Sequence, residues 1–329
     1  MHHFILLFAL LLSAYAQEVT RTKVMMGTFV TLSLPSQNKQ HIKPLFEIIK
    51  AVDNSLSSFK TNSPIYKLNQ NKYAKLDTYS YEALRLSALY YKKTGGYFNV
   101  AIGSITKGLY DFGGNETVPK NVQLQKSNIS FNSLQFDAKK AEISDNIKID
   151  LGGMGKGFAV DKTVKYLVKH NIKKAKVAAS GDIRCIGTCK IEVKNPFAKE
   201  ALVTFRTKQA SLGVSTSGNY EHFVKNKNNN HLINPKTKHP QHNFTSITLI
   251  SVLPSSDLDA YTTAVSVMPK EKAFGFLKSL DVAFVILDSE KKLYVSENIN
   301  KFVTDLIIND TFKKYPKYNF PSVKPVDST

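Results

Sequence analysis

The sequence has no tryptophan, only two cysteines in 329 residues, and neither of the two best-known phosphate-binding signatures. Two cysteines cannot supply a dense disulfide framework, and no further ligands close to them in sequence complete a zinc site. The dinucleotide fingerprint Gly-x-Gly-x-x-Gly and the Walker A motif are both absent. Aromatic residues are not interleaved with arginine in an RNA-binding pattern, which disfavours nucleic acid as the partner.

Acidic residues are also scarce relative to basic ones. The chain has 45 Lys and Arg against 26 Asp and Glu, a net charge of +19. Such an excess fits an anionic cofactor, a membrane surface or nucleic acid, and it equally fits a lysine-rich solvated surface. The lysines are scattered, so charge alone does not decide. A hydrophobic fraction of 42% supports a sizeable core, and the absence of repeats or linkers predicts one large domain.

The N-terminus predicts export. Residues 4–12 are continuously apolar, and Ala14-Tyr15-Ala16 matches an A-x-A cleavage site. The run is too short for a membrane-spanning helix. The residues before it lack the Lys or Arg that a secretory signal usually carries. We therefore expect residues 1–16 to be a secretory signal and residues 17–329 to form the mature domain. The corresponding location is the periplasm, with retention at the outer face of the inner membrane as the alternative to cleavage.

The cysteines, Cys185 and Cys189, are separated by three residues. In an oxidising compartment, a disulfide across a tight turn fits this spacing. A redox-active pair has less support, because the spacing is not Cys-x-x-Cys.

Hydrophobic patterning predicts a mixture of helices and strands. Helices are expected at residues 39–57, 81–91, 161–170, 259–267 and 270–280. Strands are expected at residues 24–34, 176–179, 182–186, 190–193, 246–253, 282–287 and 292–295, with hairpins at 129–149 and 202–216. Residues 57–71 are polar and interrupted by Pro64, which predicts a loop with short structure. Because regular βαβ alternation is missing, the fold class is α+β: one domain with a mixed, largely antiparallel sheet flanked by helices.

Residues 148–165 are the most informative stretch. An alternating apolar segment leads to Asp150. It is followed by Gly152, Gly153, Gly155 and Gly157, with Lys156 between the last two, and then by an amphipathic helix. A strand, a glycine loop and a helix start bring bare backbone N–H groups close to an anion. A tight strand-to-helix turn without a ligand is the structural alternative. Four glycines, a lysine and a flanking aspartate favour an anionic ligand.

Other polar residues suggest catalytic chemistry with less specificity. Asp259 and Thr263 are four residues apart and share a helix face, which gives Mg²⁺ two hard oxygen ligands; a helix-capping aspartate explains the same spacing. His231 has the titration range of a general base, but a lone histidine is more often an ordinary surface or core residue. Ser217 lacks a recognisable nucleophile motif.

Taken in order, these islands resemble a known family, the bacterial FAD:protein FMN transferases, also called ApbE-like flavin transferases. The resemblance spans nearly the whole mature chain. Each match is weak alone, and their order and spacing are what make the resemblance specific. The matching segments are residues 26–28, 57–59, 63–69, 95–99, 150–161, 181–183, 216–221, 231–235 and 259–263.

The resemblance implies a reaction, a fold related to the T-fold, and a site. The reaction is transfer of the FMN part of FAD to a threonine hydroxyl of a partner protein, with Mg²⁺ and release of AMP. The implied partners are membrane-bound, sodium-pumping or related redox complexes and flavin-carrying reductases. The implied metal ligands are Asp259, Thr263 and the carbonyl of Gly153, and the implied proton acceptors are His231 and Asp259. The implied FAD contacts are Met26, Phe59, Tyr97, Phe98, Asn99, Asp150, Lys156 and Ile233.

The chain also departs from the family pattern. The family usually has Asp at positions 99 and 234, Tyr at 59, Ala at 155 and Gly at 180, where this sequence has Asn99, Asn234, Phe59, Gly155 and Ser180. Most of these differences concern flavin contacts and leave the metal ligands intact. Two other functions remain open from sequence: an FAD pyrophosphatase that uses water as acceptor, and a flavin-binding protein without turnover.

Overall fold

An eight-stranded antiparallel sheet is the centre of the molecule in a computed structural model that describes residues 17–312. The predicted signal segment therefore lies outside the described residues. The strands are β1 (Glu18–Met25), β2 (Thr28–Pro35), β3 (Tyr73–Lys75), β4 (Leu134–Phe136), β5 (Lys140–Ile143), β6 (Ala175–Ala179), β7 (Asp182–Ile186), β8 (Lys190–Val193), β9 (Val203–Thr207), β10 (Ser211–Gly218), β11 (Phe244–Ser251), β12 (Ala283–Asp288), β13 (Leu293–Val295) and β14 (Val303–Ile308). The α-helices are α1 (Ile42–Leu56), α2 (Pro64–Asn71), α3 (Thr78–Lys93), α4 (Gly103–Thr106), α5 (Asn121–Lys126), α6 (Gly155–Lys169), α7 (Ser255–Val267) and α8 (Lys270–Lys278).

The large sheet has the strand order β1-β2-β6-β7-β10-β11-β12-β13. Two three-stranded sheets, β14-β9-β8 and β3-β5-β4, accompany it. Every strand pairing in the described chain is antiparallel. The predicted α+β class with a largely antiparallel sheet is therefore confirmed.

Alternation along the central strands divides the core between the two faces of the large sheet. Leu249 of β11 belongs to the cluster that contains helices α1, α3, α6 and α7. Its neighbour Ile250 belongs to a second cluster, which packs against the small β14-β9-β8 sheet. Successive side chains of a strand point to opposite faces, so both faces of β11 are buried. Helix α7 is covered on nearly all sides, and it is held rigidly next to α6.

The predicted strand at residues 24–34 is wrong as a single element. It is a hairpin of β1 and β2, joined by Met26 and Gly27 with φ values of 54° and 71°. Positive φ at both central residues is the geometry of a tight hairpin turn. Because the apolar pattern continues across the turn, sequence periodicity did not mark the break.

The short structure expected within the loop at residues 57–71 is α2, which occupies its second half. Ser63 caps this helix by accepting a hydrogen bond from Ile65 N at 3.2 Å, and Pro64 takes the first helical position. A serine cap followed by proline is a helix-start signal, and here proline begins a helix.

The predicted hairpin at residues 202–216 is also wrong in its pairing. The two strands exist as β9 and β10, but β9 pairs with β8 and β14, whereas β10 pairs with β7 and β11. The two strands thus belong to different sheets. The hairpin predicted at residues 129–149 is confirmed as the shorter β4–β5 pair.

The disulfide that the cysteine spacing allows, and that the sequence left open, is present. Cys185, at the end of β7, is bonded to Cys189 just before β8, with Cα atoms 5.9 Å apart. The bond closes the turn between a strand of the large sheet and one of the small sheet. Among residues 17–312, no helix combines the length and apolarity needed to cross a membrane.

Candidate active site

The approach to the glycine loop is irregular backbone rather than the predicted strand. Its hydrogen bonds come from Asn69 of α2, whose amide donates to Ile149 O at 2.9 Å and accepts from Ile149 N at 2.6 Å. The next residue, Asp150, donates its N–H to Val100 O at 2.8 Å. Buried backbone N–H and C=O groups need hydrogen-bond partners. At Ile149 the Asn69 side chain provides both bonds, which a neighbouring strand would otherwise make.

Asp150 is held at the start of the loop by two hydrogen bonds. Its Oδ2 accepts from Thr106 Oγ1 at 2.6 Å, and its Oδ1 accepts from Gly152 N at 2.9 Å. The second bond closes a tight turn of the kind that aspartate favours. The loop then enters α6 at Gly155, so the last two of the four glycines are helical.

Lys156, in the first turn of α6, lies between two buried carboxylates. Its Nζ is 3.2 Å from Asp182 Oδ2 and 3.4 Å from Asp259 Oδ1. Both aspartate side chains are at most 2% exposed. Burial lowers the pKa of Lys156, but the attraction of Asp259 and Asp182 outweighs it and raises that pKa above its ordinary value. The lysine is therefore a fixed positive charge.

Asp182 is the strained member of this trio. Its Oδ1 accepts from Ser215 Oγ at 2.6 Å, whereas its buried Oδ2 has only the ammonium of Lys156 nearby and no well-aligned hydrogen bond. Burial, and then the negative charge of Asp259, raise the pKa of the Asp182 carboxyl. Lys156 opposes both effects. The trio thus holds one ammonium between two buried carboxyl groups, of which Asp182 takes up a proton more readily than an ordinary aspartate.

Helix α7 is fixed against α6 by Asp161. This carboxylate accepts from Ser255 N at 2.7 Å and Ser256 N at 2.9 Å, two of the free N–H groups at the start of α7. An anion at a helix N-terminus is stabilising. Because α7 carries Asp259 and Thr263, this cap sets the position of both side chains relative to the glycine loop.

Gly157 allows the two helices to approach. A Cβ at this position would lie 2.2 Å from Ser255 O and 2.8 Å from the Cβ of Asp259. Without it, Gly157 N donates to Asp259 Oδ2 at 3.0 Å. The bond orients the carboxylate beside Lys156.

Two alanine substitutions test whether the absence of a Cβ at position 157 is what allows α6 and α7 to pack closely. We expect Gly157→Ala to force α6 and α7 apart, lowering the free energy of unfolding by about 1–3 kcal/mol and losing the orientation of Asp259. Gly155→Ala is the matched control, because its Cβ would meet only Met26 Cε at 3.9 Å. Urea unfolding and the activity assay described below measure both; equal effects of the two variants would contradict this role for Gly157.

Three oxygen atoms that could bind a metal are contributed by residues near Lys156. Thr263 Oγ1 donates to Gly153 O at 3.2 Å, and Asp259 lies one turn earlier on the same face of α7. Carboxylate, hydroxyl and carbonyl oxygens are the ligand types that Mg²⁺ takes, with water or phosphate oxygens completing its shell. Within residues 17–312, no group of three His, Cys, Asp or Glu side chains can hold a metal. The donor set therefore fits Mg²⁺ shared with a phosphate and does not fit an all-protein metal site.

His231 lies within electrostatic reach of this centre. Burial lowers its pKa to about 4, opposed by the His222 carbonyl, which lies 3.1 Å from Nδ1. The charge of Lys156 lowers the pKa further and that of Asp150 raises it. His231 is thus neutral at pH 7 and available to accept a proton, with Nδ1 engaged by the backbone.

The protonation state of His231 can be measured directly. We expect its Cε1–H resonance to titrate with a midpoint near pH 4, and His231→Gln assigns the resonance. The lowered pKa favours the neutral folded form, so this contribution to stability is present above the ordinary value of about 6.5 and is lost as pH falls towards 4. A midpoint at or above pH 6 would contradict the described environment.

The predicted flavin contacts surround the loop on two sides. Met26 lies beside Gly155, and Phe59 is 53% exposed, with Lys107 Nζ 4.3 Å from its ring centre. Phe59 and Lys107 line a cavity of about 270 Å³ that reaches Asn69. An aromatic surface and a cation beside an open cavity suit a ring-bearing anionic ligand.

The remaining predicted contacts are more buried. Phe98 packs edge-on against Tyr90, and its ring would meet a Cβ on Gly153 at 3.3 Å. The Asn99 amide is engaged with backbone: its Oδ1 accepts from Ala101 N at 3.0 Å and its Nδ2 donates to Ile129 O at 2.9 Å. Ile233 belongs to a small buried cluster, whereas Tyr97 is half-buried. Contact between these residues and a flavin stays a prediction.

Sequence reasoning missed several residues that build the site. Asp182, Thr106 and Ser215 were not predicted as site residues, although Asp182 lies in one of the matched islands. The signal that could have identified Asp182 was its place at the start of β7, where an acidic side chain interrupts apolar strands. Ser180, where the family usually has glycine, has φ of 55°, which explains the usual glycine there.

Comparison with known proteins identifies a family and a shared fold. A sequence model of the ApbE family matches residues 26–286. A relative from Buchnera aphidicola, named FAD:protein FMN transferase, is 28% identical over 272 residues, covering 75% of this chain and 79% of the relative. An ApbE protein structure from Thermotoga maritima has a TM-score of 0.80 at 23% identity, covering 88% of this chain and 100% of that one. The flavin transferase ApbE from Vibrio cholerae has a TM-score of 0.74 at 19% identity, covering 87% and 99%. The two structures establish a shared fold.

Proposed function

The chain belongs to the ApbE family, and from that premise we propose that it is a Mg²⁺-dependent FAD:protein FMN transferase. Its substrates are FAD and a partner protein, and its products are a flavinylated threonine and AMP. The observation that carries the proposal is the meeting, at the start of α6, of Lys156, Asp259 and the Gly153–Thr263 pair. These residues come from two distant segments and together suit a pyrophosphate.

The reaction is a phosphoryl substitution that conserves all atoms. The threonine Oγ attacks the phosphorus on the FMN side of the pyrophosphate and forms a new P–O bond. The bond from that phosphorus to the bridging oxygen breaks, and the bridging oxygen leaves with AMP. The threonine proton is transferred to a base. Catalysis of such a step depends mainly on positioning and on stabilisation of negative charge.

Each part of the site has a role in that step. The Lys156 ammonium, in the first turn of α6, stabilises negative charge on the phosphate oxygens. His231, neutral at pH 7, accepts the threonine proton. Asp259 is the weaker candidate base, because its carboxylate is already engaged with Gly157 N and Lys156.

The oxygen donors Asp259, Thr263 and Gly153 O would hold Mg²⁺. When bound, Mg²⁺ neutralises charge on the pyrophosphate and polarises it. The cavity beside Phe59 is the proposed place for one ring system of FAD.

We further propose that the chain acts after export, in the periplasm, on membrane-bound redox complexes. The signal-like sequence at residues 1–16 supports export. The Cys185–Cys189 disulfide is consistent with an oxidising compartment. Separating periplasmic from cytoplasmic fractions and detecting the mature chain by mass spectrometry tests the location; recovery of the full-length chain in the cytoplasm alone would contradict it.

The activity test is product analysis with FAD, Mg²⁺ and a domain that carries an acceptor threonine. The transferase releases AMP in an amount equal to the flavin covalently attached to the acceptor. A pyrophosphatase instead releases free FMN and AMP with or without acceptor, and a flavin-binding protein leaves FAD intact. EDTA should stop AMP release, and added Mg²⁺ should restore it.

A further inference from the structure

A second cavity, of about 300 Å³, has Tyr97 in its lining and none of the proposed catalytic or metal-binding residues. It is lined by three lysines together with apolar side chains. The residues that matter are Lys93, Lys236, Lys272, Tyr97, Phe276 and Met268. They come from the end of α3 and the loop that follows it, the segment after His231, the residue directly after α7, and α8. We call this group the lysine pocket.

Two ammonium groups of the lysine pocket lie near one aromatic ring. Lys236 Nζ and Lys272 Nζ lie 5.5 Å and 5.6 Å from the centre of the Tyr97 ring. In the described part of the chain, none of the three lysines forms an ion pair with a carboxylate. Like charges gathered around one ring repel each other, so an anion entering the pocket is attracted by all of them.

Lys93 is the least available of the three. Its Nζ lies 5.0 Å from the centre of the Tyr261 ring, and its positive charge acts to lower the pKa of Asp257. Asp257 in turn accepts a hydrogen bond from Tyr90 OH at 2.6 Å. The pair that faces the cavity without such compensation is therefore Lys236 and Lys272.

The pocket and the proposed active site contain residues that are neighbours in the sequence. Tyr97 is followed by Phe98, whose ring approaches Gly153. Lys236 follows the segment that carries His231 and Ile233, and a Cβ on Gly96 would meet its Nζ at 2.9 Å. An anion bound by Lys236 would therefore contact the chain segment that carries His231, the proposed base.

We propose that the lysine pocket binds acidic side chains of the acceptor protein, next to its acceptor threonine. This inference rests on the proposed function, which requires a protein substrate to reach the active site. The pyrophosphate of FAD already has Lys156 as its proposed partner. Flexible, exposed lysines suit carboxylates at a solvated surface, where charge pairs mainly select the partner and speed its association.

The first experiment measures peptide binding without FAD, so no turnover is needed. The probe is a fluorescein-labelled peptide, Glu-Asp-Gly-Thr-Asp-Glu, followed by fluorescence anisotropy. We expect the double variant Lys236→Gln/Lys272→Gln to raise its Kd about tenfold. The matched control is Lys43→Gln/Lys50→Gln on α1, which removes the same charge from two exposed lysines outside the pocket; we expect less than a twofold change.

The second experiment measures transfer kinetics with the full chain. The pocket variant should raise the KM for the acceptor, with kcat and the Kd for FAD unchanged. Equal weakening in the pocket and control variants, or equal binding of the neutral peptide Gln-Asn-Gly-Thr-Asn-Gln, would overturn the proposal. Binding of inorganic phosphate that depends on Lys236 and Lys272 and displaces no acidic peptide would overturn it too. Since peptide binding is measured without turnover, failure of the transferase assay leaves this result interpretable.

Discussion

Replacing Asp259 by asparagine is expected to lower kcat for FMN transfer by about a thousandfold or more. The amide keeps the shape of the side chain and can still accept from Gly157 N, which the carboxylate meets at 3.0 Å. It removes the only negative charge among the proposed metal ligands. It also leaves Lys156 with one carboxylate neighbour instead of two. Metal binding and orientation of the pyrophosphate should fail together.

The measurement is AMP release at saturating FAD over a range of Mg²⁺ concentrations. Asp257→Asn is the matched control, two residues away on the same helix, because its amide oxygen can still accept from Tyr90 OH. We expect the control to stay within about threefold of the unsubstituted chain, and Asp259→Ala to match Asp259→Asn. Full activity in either Asp259 variant would remove this residue from the metal site.

Replacing Lys156 by methionine is expected to reduce both stability and activity. The two buried carboxylates, Asp182 and Asp259, lose the cation between them. Leaving buried charge uncompensated costs about 3 kcal/mol in the free energy of unfolding. Loss of the ammonium should lower kcat by about a hundredfold or more. Urea unfolding and the AMP assay measure the two effects separately.

A second substitution separates these two roles of Lys156. In Lys156→Met/Asp182→Asn, only one buried carboxylate remains, so stability should return while activity stays low. The single variant should also become more stable as pH falls, because burial and Asp259 raise the pKa of Asp182 and protonation relieves the repulsion. If the double variant is no more stable than the single one, the proposed balance of charges is wrong.

The sequence was most informative where chemistry depends on local spacing. The glycines around Lys156 and the Asp259–Thr263 pair were identified from residue types alone, and the structure brings them together. Nothing in their spacing could show that a glycine at position 157 lets α6 and α7 touch. That contact depends on the packing of two helices far apart in sequence.

The errors have physical causes as well. The approach to the glycine loop looks like a strand because its apolar residues alternate, yet Asn69, eighty residues earlier, satisfies its backbone. Strands β9 and β10 are close in sequence and were expected to pair, but β9 pairs with β8 and β10 pairs with β7, in different sheets. Asp182 was overlooked because its role depends on burial and on Lys156. Side-chain partners that are distant in sequence cannot be found from local pattern.

The intact mass of the acceptor domain tests the central claim most directly. After incubation with the chain, FAD and Mg²⁺, the acceptor should gain the mass of one FMN residue, on its threonine and in step with AMP release. Substituting the acceptor threonine by alanine should abolish the gain. An acceptor of unchanged mass, accompanied by free FMN and AMP, would contradict the transferase and leave hydrolysis of FAD as the activity of this site.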